Sequence, residues 1–114
     1  MAELSLCMIV KNEEARLARC LKSVCGAVDE IIILDTGSTD ATKAIAREFT
    51  PSVYDYAWDD DFAAARNTSF AYATRPFILW LDADDVLESS EREKLIALKR
   101  RLTDDVDAVM MPYH

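Results

Sequence analysis

The stretch Phe77-Ile78-Leu79-Trp80-Leu81-Asp82-Ala83-Asp84-Asp85 decides how the rest of the chain is interpreted, because five apolar residues lead directly into three carboxylates. The apolar run is too short to span a membrane and is typical of a strand that is buried on both faces. In open α/β sheets, ligands bind beyond the carboxyl ends of the strands. Carboxylates gathered there repel one another unless a cation lies between them, and Mg²⁺ or Mn²⁺ prefers such oxygen ligands. The stretch therefore predicts a divalent metal site among these aspartates.

A simpler interpretation of the same aspartates stays open, since acidic residues are common in turns and Asp85 can cap a helix that starts near Val86. Three Asp in four positions directly after a hydrophobic strand favour the metal site. Asp82 and Asp84 would face the same side of a continuing strand. Once the chain turns, one carboxylate can reach a ribose hydroxyl and the other a cation. The cation would bridge the two phosphates of a nucleoside diphosphate and stabilise the diphosphate as a leaving group.

The composition of the 114-residue chain fits one globular domain, with 51% hydrophobic and 30% charged residues. Its net charge of −8 argues against nucleic-acid binding, because phosphate backbones are held by Lys and Arg. Gly26 and Gly37 are the two glycines of the whole sequence, so neither a GxGxxG motif nor a P-loop can be written. A bound nucleotide would therefore need a cation held by Asp to neutralise its phosphates.

The three cysteines, Cys7, Cys20 and Cys25, are an odd number and two of them fall in apolar patterns. This usage predicts reduced thiols in a cytoplasmic protein. A zinc site is not expected, because there is no CxxC pair and the one histidine is the last residue. We also expect no signal peptide and no transmembrane segment.

Strand and helix patterns alternate along the chain and predict one α/β domain over residues 1–114. Buried strands are expected at residues 4–10, 31–34, 77–81 and 108–111, with a weaker edge strand at 53–56. The order βαβαβαβαβ implies a mainly parallel sheet with flanking helices and right-handed crossovers. Because the chain stops on a strand, we expect it to be part of a longer protein, and the open edge at residues 108–111 can pair with a second copy.

Apolar stripes at helical spacing predict the buried faces of four helices. They are Leu17, Leu21 and Val24; Ala41, Ile45 and Phe49; Phe62, Ser69, Phe70 and Ala73; and Leu95, Leu98 and Leu102. The expected N-caps of the first three helices are Asn12, then Ser38 or Thr39, then Asp60 or Asp61.

Polar residues follow three of the predicted strands, at positions 11–14, 35–40 and 82–85, and would share one crevice if those strands are neighbours. Asp35 lies where a buried strand meets its loop. Its carboxylate can accept a hydrogen bond from a base N–H, such as N3–H of uracil. It can equally cap the amides of Gly37 and Ser38 in an Asx-turn, and the sequence leaves both interpretations open.

Arg66 falls among small residues on the predicted inward side of the third helix. An inward Arg needs an anionic or carbonyl partner, and a nucleotide or Asp35 would serve. A solvated or ion-paired surface Arg is the alternative. Trp58 and Tyr56 are candidate sugar platforms, whereas Trp80 is expected in the core.

Four blocks of the sequence, taken together, resemble the family 2 glycosyltransferases. They are Ser5-Leu6-Cys7-Met8-Ile9-Val10-Lys11-Asn12-Glu13-Glu14, Asp29-Glu30-Ile31-Ile32-Ile33-Leu34-Asp35-Thr36-Gly37-Ser38-Thr39-Asp40, Asp61-Phe62-Ala63-Ala64-Ala65-Arg66-Asn67 and Leu81-Asp82-Ala83-Asp84-Asp85. The motifs CMIVKNEE and DTGSTD are similar to those of a bacterial branch of the family, whose members are often fused to tetratricopeptide repeats.

The resemblance implies a Rossmann-like GT-A fold, a nucleotide-diphosphate sugar donor (by default UDP), a Mg²⁺ or Mn²⁺ ion and inversion at the anomeric carbon. It implies contact with uracil from Asp35 and from the end of the first strand, at Val10, Asn12 and Glu14. It places Arg66 beside the nucleotide. Asp82 and Asp84 would form the DxD-type pair at ribose, diphosphate and metal. Thr36 departs from the pattern, because many members have a second Asp there.

The resemblance also implies that the acceptor-binding half, with the carboxylate that acts as catalytic base, follows His114. We therefore expect a donor-binding half that does not transfer sugar on its own. The acceptor, which can be a polysaccharide, a lipid or a protein, is left open. Two alternatives remain: a non-catalytic nucleotide-binding module, and a Mg²⁺-dependent phosphatase of the haloacid-dehalogenase kind, with Asp82 as nucleophile.

Overall fold

The computed structural model describes residues 3–58, 60–81, 89–101 and 109–110 and contains a parallel β-sheet of five strands. The strands are β1 (Leu4–Val10), β2 (Glu30–Asp35), β3 (Val53–Asp55), β4 (Phe77–Trp80) and β5 (Val109–Met110). Their order across the sheet is β3-β2-β1-β4-β5, and every neighbouring pair is parallel. The predicted parallel sheet is confirmed, with β3 at one edge and β5 at the other.

In the part of the chain that the structure describes, four helices connect the strands, in the predicted alternation. They are α1 (Leu17–Val24), α2 (Thr42–Phe49), α3 (Phe62–Tyr72) and α4 (Ser89–Arg101). Among the described residues, no helix is long and apolar enough to cross a membrane.

The side chains of β1 alternate between two apolar layers, because successive residues of a strand point to opposite faces. One face carries Leu4, Leu6, Met8 and Val10, which pack in one cluster with α1, with Ala46 of α2 and with Leu95 of α4. The opposite face carries Cys7 and Ile9, which pack with Trp80 of β4 and with Phe70 of α3. The result is a three-layer arrangement with α3 on one side of the sheet and the other helices across it.

Two predicted helix faces differ in part from the structure. In α2, Ile45 and Phe49 pack against the core as predicted, and the fully buried residues are Thr42 and Ala46. Ala41 is exposed, and the helix begins after it, at Thr42. In α3 the buried residues are Ala65 and Ser69, whereas Phe62 is 49% exposed. Phe62 is the first residue of its helix, and its ring forms a T-shaped contact with Trp80, at 5.9 Å between centroids. Trp80 itself is in the core, as predicted.

The helix caps are predicted correctly for α3 and wrongly for α1 and α2. Asp61 caps α3, with its Oδ1 accepting the backbone N–H of Ala64 at 3.0 Å. The N-cap residues of α1 and α2 are Arg16 and Ala41, and neither makes a side-chain cap bond. The polar residues expected there, Asn12, Ser38 and Thr39, are hydrogen-bonded to one another across the two loops instead.

Candidate functional site

The carboxyl ends of β1, β2 and β4 lie side by side, as required for one shared crevice. Val10 and Asp35, the last residues of β1 and β2, are partners in the strand register. β1 has β2 on one side and β4 on the other, so the direction in which strands are added to the sheet reverses at β1. Such a reversal point is where open α/β sheets bind ligands.

The aspartates predicted as the metal and ribose ligands, Asp82 and Asp84, lie outside the described residues, as does Asp85. They follow Leu81, which is buried directly after β4. Among the described residues, no three His, Cys, Asp or Glu side chains come together to form a metal site.

Asp35 is almost completely buried, with 1% of its surface exposed, and its two carboxylate oxygens have different surroundings. Oδ1 accepts the backbone N–H groups of Gly37 at 2.9 Å and Ser38 at 2.8 Å. Oδ2 is buried and has no hydrogen-bond partner in the described part of the chain. The Asx-turn is therefore confirmed, and one oxygen keeps its acceptor capacity. A buried polar atom without a partner is costly, so Oδ2 is a candidate ligand contact.

Arg66 is half-buried in α3, and its Nε is the second buried side-chain atom without a partner in the described part of the chain. The guanidinium forms no ion pair with Asp35, which was one of its two predicted partners. Its helix is held in place at the start by the Asp61 cap and along its inner face by buried Ala65 and Ser69. A desolvated cationic donor of this kind needs an anion or a carbonyl oxygen.

A cavity of about 270 Å³ opens at this edge of the sheet. Lys11 and Glu13 line it from the loop after β1, Thr36 lines it from the loop after β2, and Trp58 and Phe62 add two aromatic side chains. The lining residues also include Ile9 and Val10 of β1. Sequence reasoning assigned no role to Lys11 and placed Phe62 in the core. The position of Phe62 directly after the capping Asp61, at the crevice end of α3, was the available signal.

The loop after β1, residues 11–16, and the loop after β2, residues 36–41, are joined by hydrogen bonds in both directions. Asn12 Oδ1 accepts the backbone N–H of Thr39 at 2.8 Å, and Glu14 Oε2 accepts that of Ala41 at 3.0 Å. In return, the backbone N–H of Asn12 donates to Ser38 Oγ at 2.9 Å. The side chains of Asn12 and Glu14, predicted to contact the donor, thus have partners within the protein.

The two loops are tied further by the backbone N–H of Glu13, which donates to Thr42 Oγ1 at 2.8 Å. The Thr42 hydroxyl in turn donates to Asp40 Oδ1. Hydrogen bonds from the side chain and backbone of Thr42, together with the backbone N–H of Glu14, hold the pKa of Asp40 below its usual value, against a smaller opposing effect of burial. Asp40 therefore stays charged as an acceptor in the contact between the loops.

A larger cavity, of about 400 Å³, lies at the opposite, amino edge of the sheet. Its charged lining residues include Glu30 and Arg75, which already have protein partners. Glu30 accepts hydrogen bonds from Ser5 and Thr74, and Arg75 forms an ion pair with Glu3 at 3.0 Å. We assign the candidate site to the smaller cavity, because Asp35 Oδ2, which is buried and has no partner within the described ranges, belongs to a residue at that edge of the sheet.

Comparison with known proteins identifies the class that this fold and crevice define. The family profile described as glycosyl transferase family 2 matches residues 5–114. The chain belongs to that family. Because the match extends through all four sequence blocks, it argues against the phosphatase alternative.

Two curated relatives agree with this assignment. The chain is 55% identical over 87 residues to a TPR repeat-containing protein of Synechococcus elongatus, covering 76% of this chain and 22% of the relative. It is 38% identical over 110 residues to the SPbeta prophage-derived glycosyltransferase SunS of Bacillus subtilis, covering 93% of this chain and 26% of the relative. The chain thus spans about a quarter of the length of these relatives.

A solved structure confirms the GT-A fold. Glucosyl-3-phosphoglycerate synthase of Mycobacterium tuberculosis, in complex with Mn²⁺, UDP and glucosyl-3-phosphoglycerate, matches with a TM-score of 0.62 and 25% identity. The match covers 72% of this chain and 33% of that one.

Proposed function

We propose that this domain binds a nucleotide-diphosphate sugar, with uridine as the base, for transfer of the sugar by the longer protein. The observation that carries the proposal is the buried Oδ2 of Asp35, unpaired within the described residues, at the carboxyl edge of the sheet. Uracil offers an N3–H donor to such an oxygen. Family membership and the UDP complex of the synthase from Mycobacterium tuberculosis support the same ligand.

The remaining contacts of the donor are proposed for residues around the same crevice. Val10 lines the cavity at the end of β1. Arg66 supplies its Nε, the second buried side-chain atom without a partner among the described residues and a donor suited to a phosphate or carbonyl oxygen. We propose that Asn12 and Glu14 act on the donor through the loop that follows Asp35, because their side-chain oxygens accept hydrogen bonds from that loop.

We further propose that Asp82 and Asp84 hold a Mg²⁺ or Mn²⁺ ion and the ribose of the donor. Carboxylate oxygens are the ligands these ions prefer, and the two aspartates follow β4 in the sequence at the edge where the crevice lies. When bound, such an ion stabilises the departing diphosphate. The Mn²⁺ in the complex of the synthase supports a divalent ion here.

Transfer would proceed with inversion, as the family resemblance implies, and the catalytic base would come from residues after His114. The acceptor would be a polysaccharide, a lipid or a protein. A reducing compartment, the cytoplasm, is supported by Cys7, Cys20 and Cys25, which form no disulfide with one another.

The test is a calorimetric titration of the protein with UDP, with and without Mn²⁺. We expect binding that strengthens with Mn²⁺ and loses that dependence in Asp84→Ala. Glu48→Gln, which removes an exposed carboxylate on α2, is the control and should bind as the unmodified protein does. Equal metal-dependent binding in Asp84→Ala would overturn the metal assignment, and failure of the unmodified protein to bind UDP would overturn the proposed function.

A further inference from the structure

We infer that Asn12 is a positioning residue for base recognition, acting through Ser38 and Thr39 on the carboxylate of Asp35. The inference rests on the proposed function, because it explains how the proposed base contact is set. It concerns a connected path of hydrogen bonds that runs from the loop after β1 to the turn after β2.

The path begins at the backbone of Asn12. Its N–H donates to Ser38 Oγ at 2.9 Å, and the backbone N–H of the same Ser38 donates to Asp35 Oδ1 at 2.8 Å. The side chain of Asn12 supports the contact from the other direction, since its Oδ1 accepts the backbone N–H of Thr39 at 2.8 Å. Asn12 therefore contacts both the side chain of Ser38, whose amide donates to Asp35 Oδ1, and the next amide along the chain, that of Thr39.

The backbone conformation of Asn12 fits this task. Its φ is 52°, in the left-handed region that few residues other than glycine adopt, and Asn is among those few. The turn allows three consecutive backbone N–H groups, of Asn12, Glu13 and Glu14, to donate to side chains of the second loop. Asn12 is exposed, so burial in a core does not account for its place.

The consequence for recognition is that the two oxygens of Asp35 take different roles. Oδ1 is held by the Gly37 and Ser38 amides, and Oδ2 is left as the acceptor. A carboxylate oxygen accepts N3–H of uracil, whereas N3 of cytosine is itself an acceptor and is repelled. A loosened turn lets the carboxylate rotate and exchange its partners, which weakens the distinction between these two bases more than it weakens binding of the diphosphate.

The experiment compares the affinities for UDP and CDP, measured by calorimetry in the presence of Mn²⁺. In Asn12→Gly, which keeps the left-handed backbone and removes the side-chain acceptor, we expect the preference for UDP to fall about fivefold, the effect of one lost hydrogen bond. In Asn12→Asp, which keeps an acceptor oxygen, we expect the preference to be retained. Arg19→Gly, on an exposed turn of α1, is the control for lost stability and should leave the ratio unchanged.

A second comparison shows whether Asn12 acts through Asp35. In a protein that already carries Asp35→Asn, we expect Asn12→Gly to leave the UDP to CDP ratio unchanged, because the carboxylate it positions is gone. An unchanged ratio in Asn12→Gly alone overturns the inference, and so does an equal loss in both backgrounds, which would indicate a direct ligand contact or a general structural role.

The Asp35→Asn variant separates a failure of the proposed base contact from a failure of the positioning role of Asn12. If Asp35→Asn keeps the UDP preference of the unmodified protein, the base contact and the inference built on it both fall. If Asp35→Asn removes the preference and Asn12→Gly does not change it, the base contact stands and only the positioning role is wrong.

Discussion

Asp35 accepts the backbone N–H of Ser38 through Oδ1 at 2.8 Å, and its other oxygen, Oδ2, stays buried without a partner within the described residues. One carboxylate thus serves both the turn and, in our proposal, the ligand. The turn explains why an aspartate is tolerated at the end of a buried strand. An Asx-turn needs only one of the two carboxylate oxygens. The second oxygen, which has no partner within the described residues, is therefore available to a ligand.

The Asp61 cap is expected to stabilise α3, the helix that carries Arg66. Asp61→Ala removes the oxygen that accepts the N–H of Ala64 and should lower the free energy of unfolding by about 1 kcal/mol. Asp61→Asn keeps a capping oxygen and is the matched control. Urea denaturation measures both variants, and equal stabilities for Ala and Asn at this position would show that the cap contributes nothing.

Glu30 is expected to make stability depend on pH at the amino edge of the sheet. Burial would raise its pKa, but hydrogen bonds from Thr74 and Ser5 and the charge of Arg75 outweigh it and hold the pKa below the ordinary value of 4.5. The folded protein therefore binds this proton less readily than the unfolded chain. The stabilisation is fully present above the unfolded-state pKa and is lost as the pH falls through the folded-state pKa.

The corresponding measurement is the melting temperature of Glu30→Gln relative to the unmodified protein. The difference should be larger at about pH 7 than at about pH 3, where the pH lies below the unfolded-state pKa of Glu30 and approaches the folded-state pKa. Glu48→Gln, on the exposed side of α2, serves as the reference substitution. A difference for Glu30→Gln that does not change with pH would contradict the assignment.

The thiols are expected to differ in reactivity according to burial. Burial and the negative charge of Glu30 raise the pKa of Cys7 to about 12, despite an opposing hydrogen bond with the side chain of Ser69. Since the thiolate is the reactive form, Cys7 should resist iodoacetamide in the folded protein, while exposed Cys25 should be labelled. Peptide mass spectrometry reads out each site, and labelling of Cys7 as fast as Cys25 would disprove the expectation.

The parallel sheet could be predicted because its strands are continuous apolar runs, and a strand buried on both faces has no other common explanation. Residues 4–10 and 77–81 were expected as strands, and the structure has β1 at Leu4–Val10 and β4 at Phe77–Trp80. Helix positions followed from apolar spacing. In α2 the spacing identified Ile45 and Phe49, which pack against the core, but not Thr42, whose hydroxyl accepts the backbone N–H of Glu13 from a loop distant in the sequence.

In the candidate site, the hydrogen bonds within one loop could be predicted from the sequence, whereas the hydrogen bonds between the two loops could not. That Asp35 could bond Gly37 and Ser38 is a local pattern, visible within four residues. The partners of Asn12 lie about 26 positions away, in a loop that comes close only because β1 and β2 are neighbours. Asn12 was therefore interpreted as a cap, the local role that its residue type favours.

The measurement that tests the central claim most directly is the binding preference between UDP and CDP in the unmodified protein and in Asp35→Asn. An Asn at this position can keep its oxygen on the Gly37 and Ser38 amides and turn its NH₂ group towards the base, where it suits N3 of cytosine and opposes N3–H of uracil. We predict that the unmodified protein prefers UDP by about tenfold or more and that Asp35→Asn, folded with a similar melting temperature, loses or reverses the preference. A folded Asp35→Asn protein with the original affinity for UDP and the original preference would contradict the account.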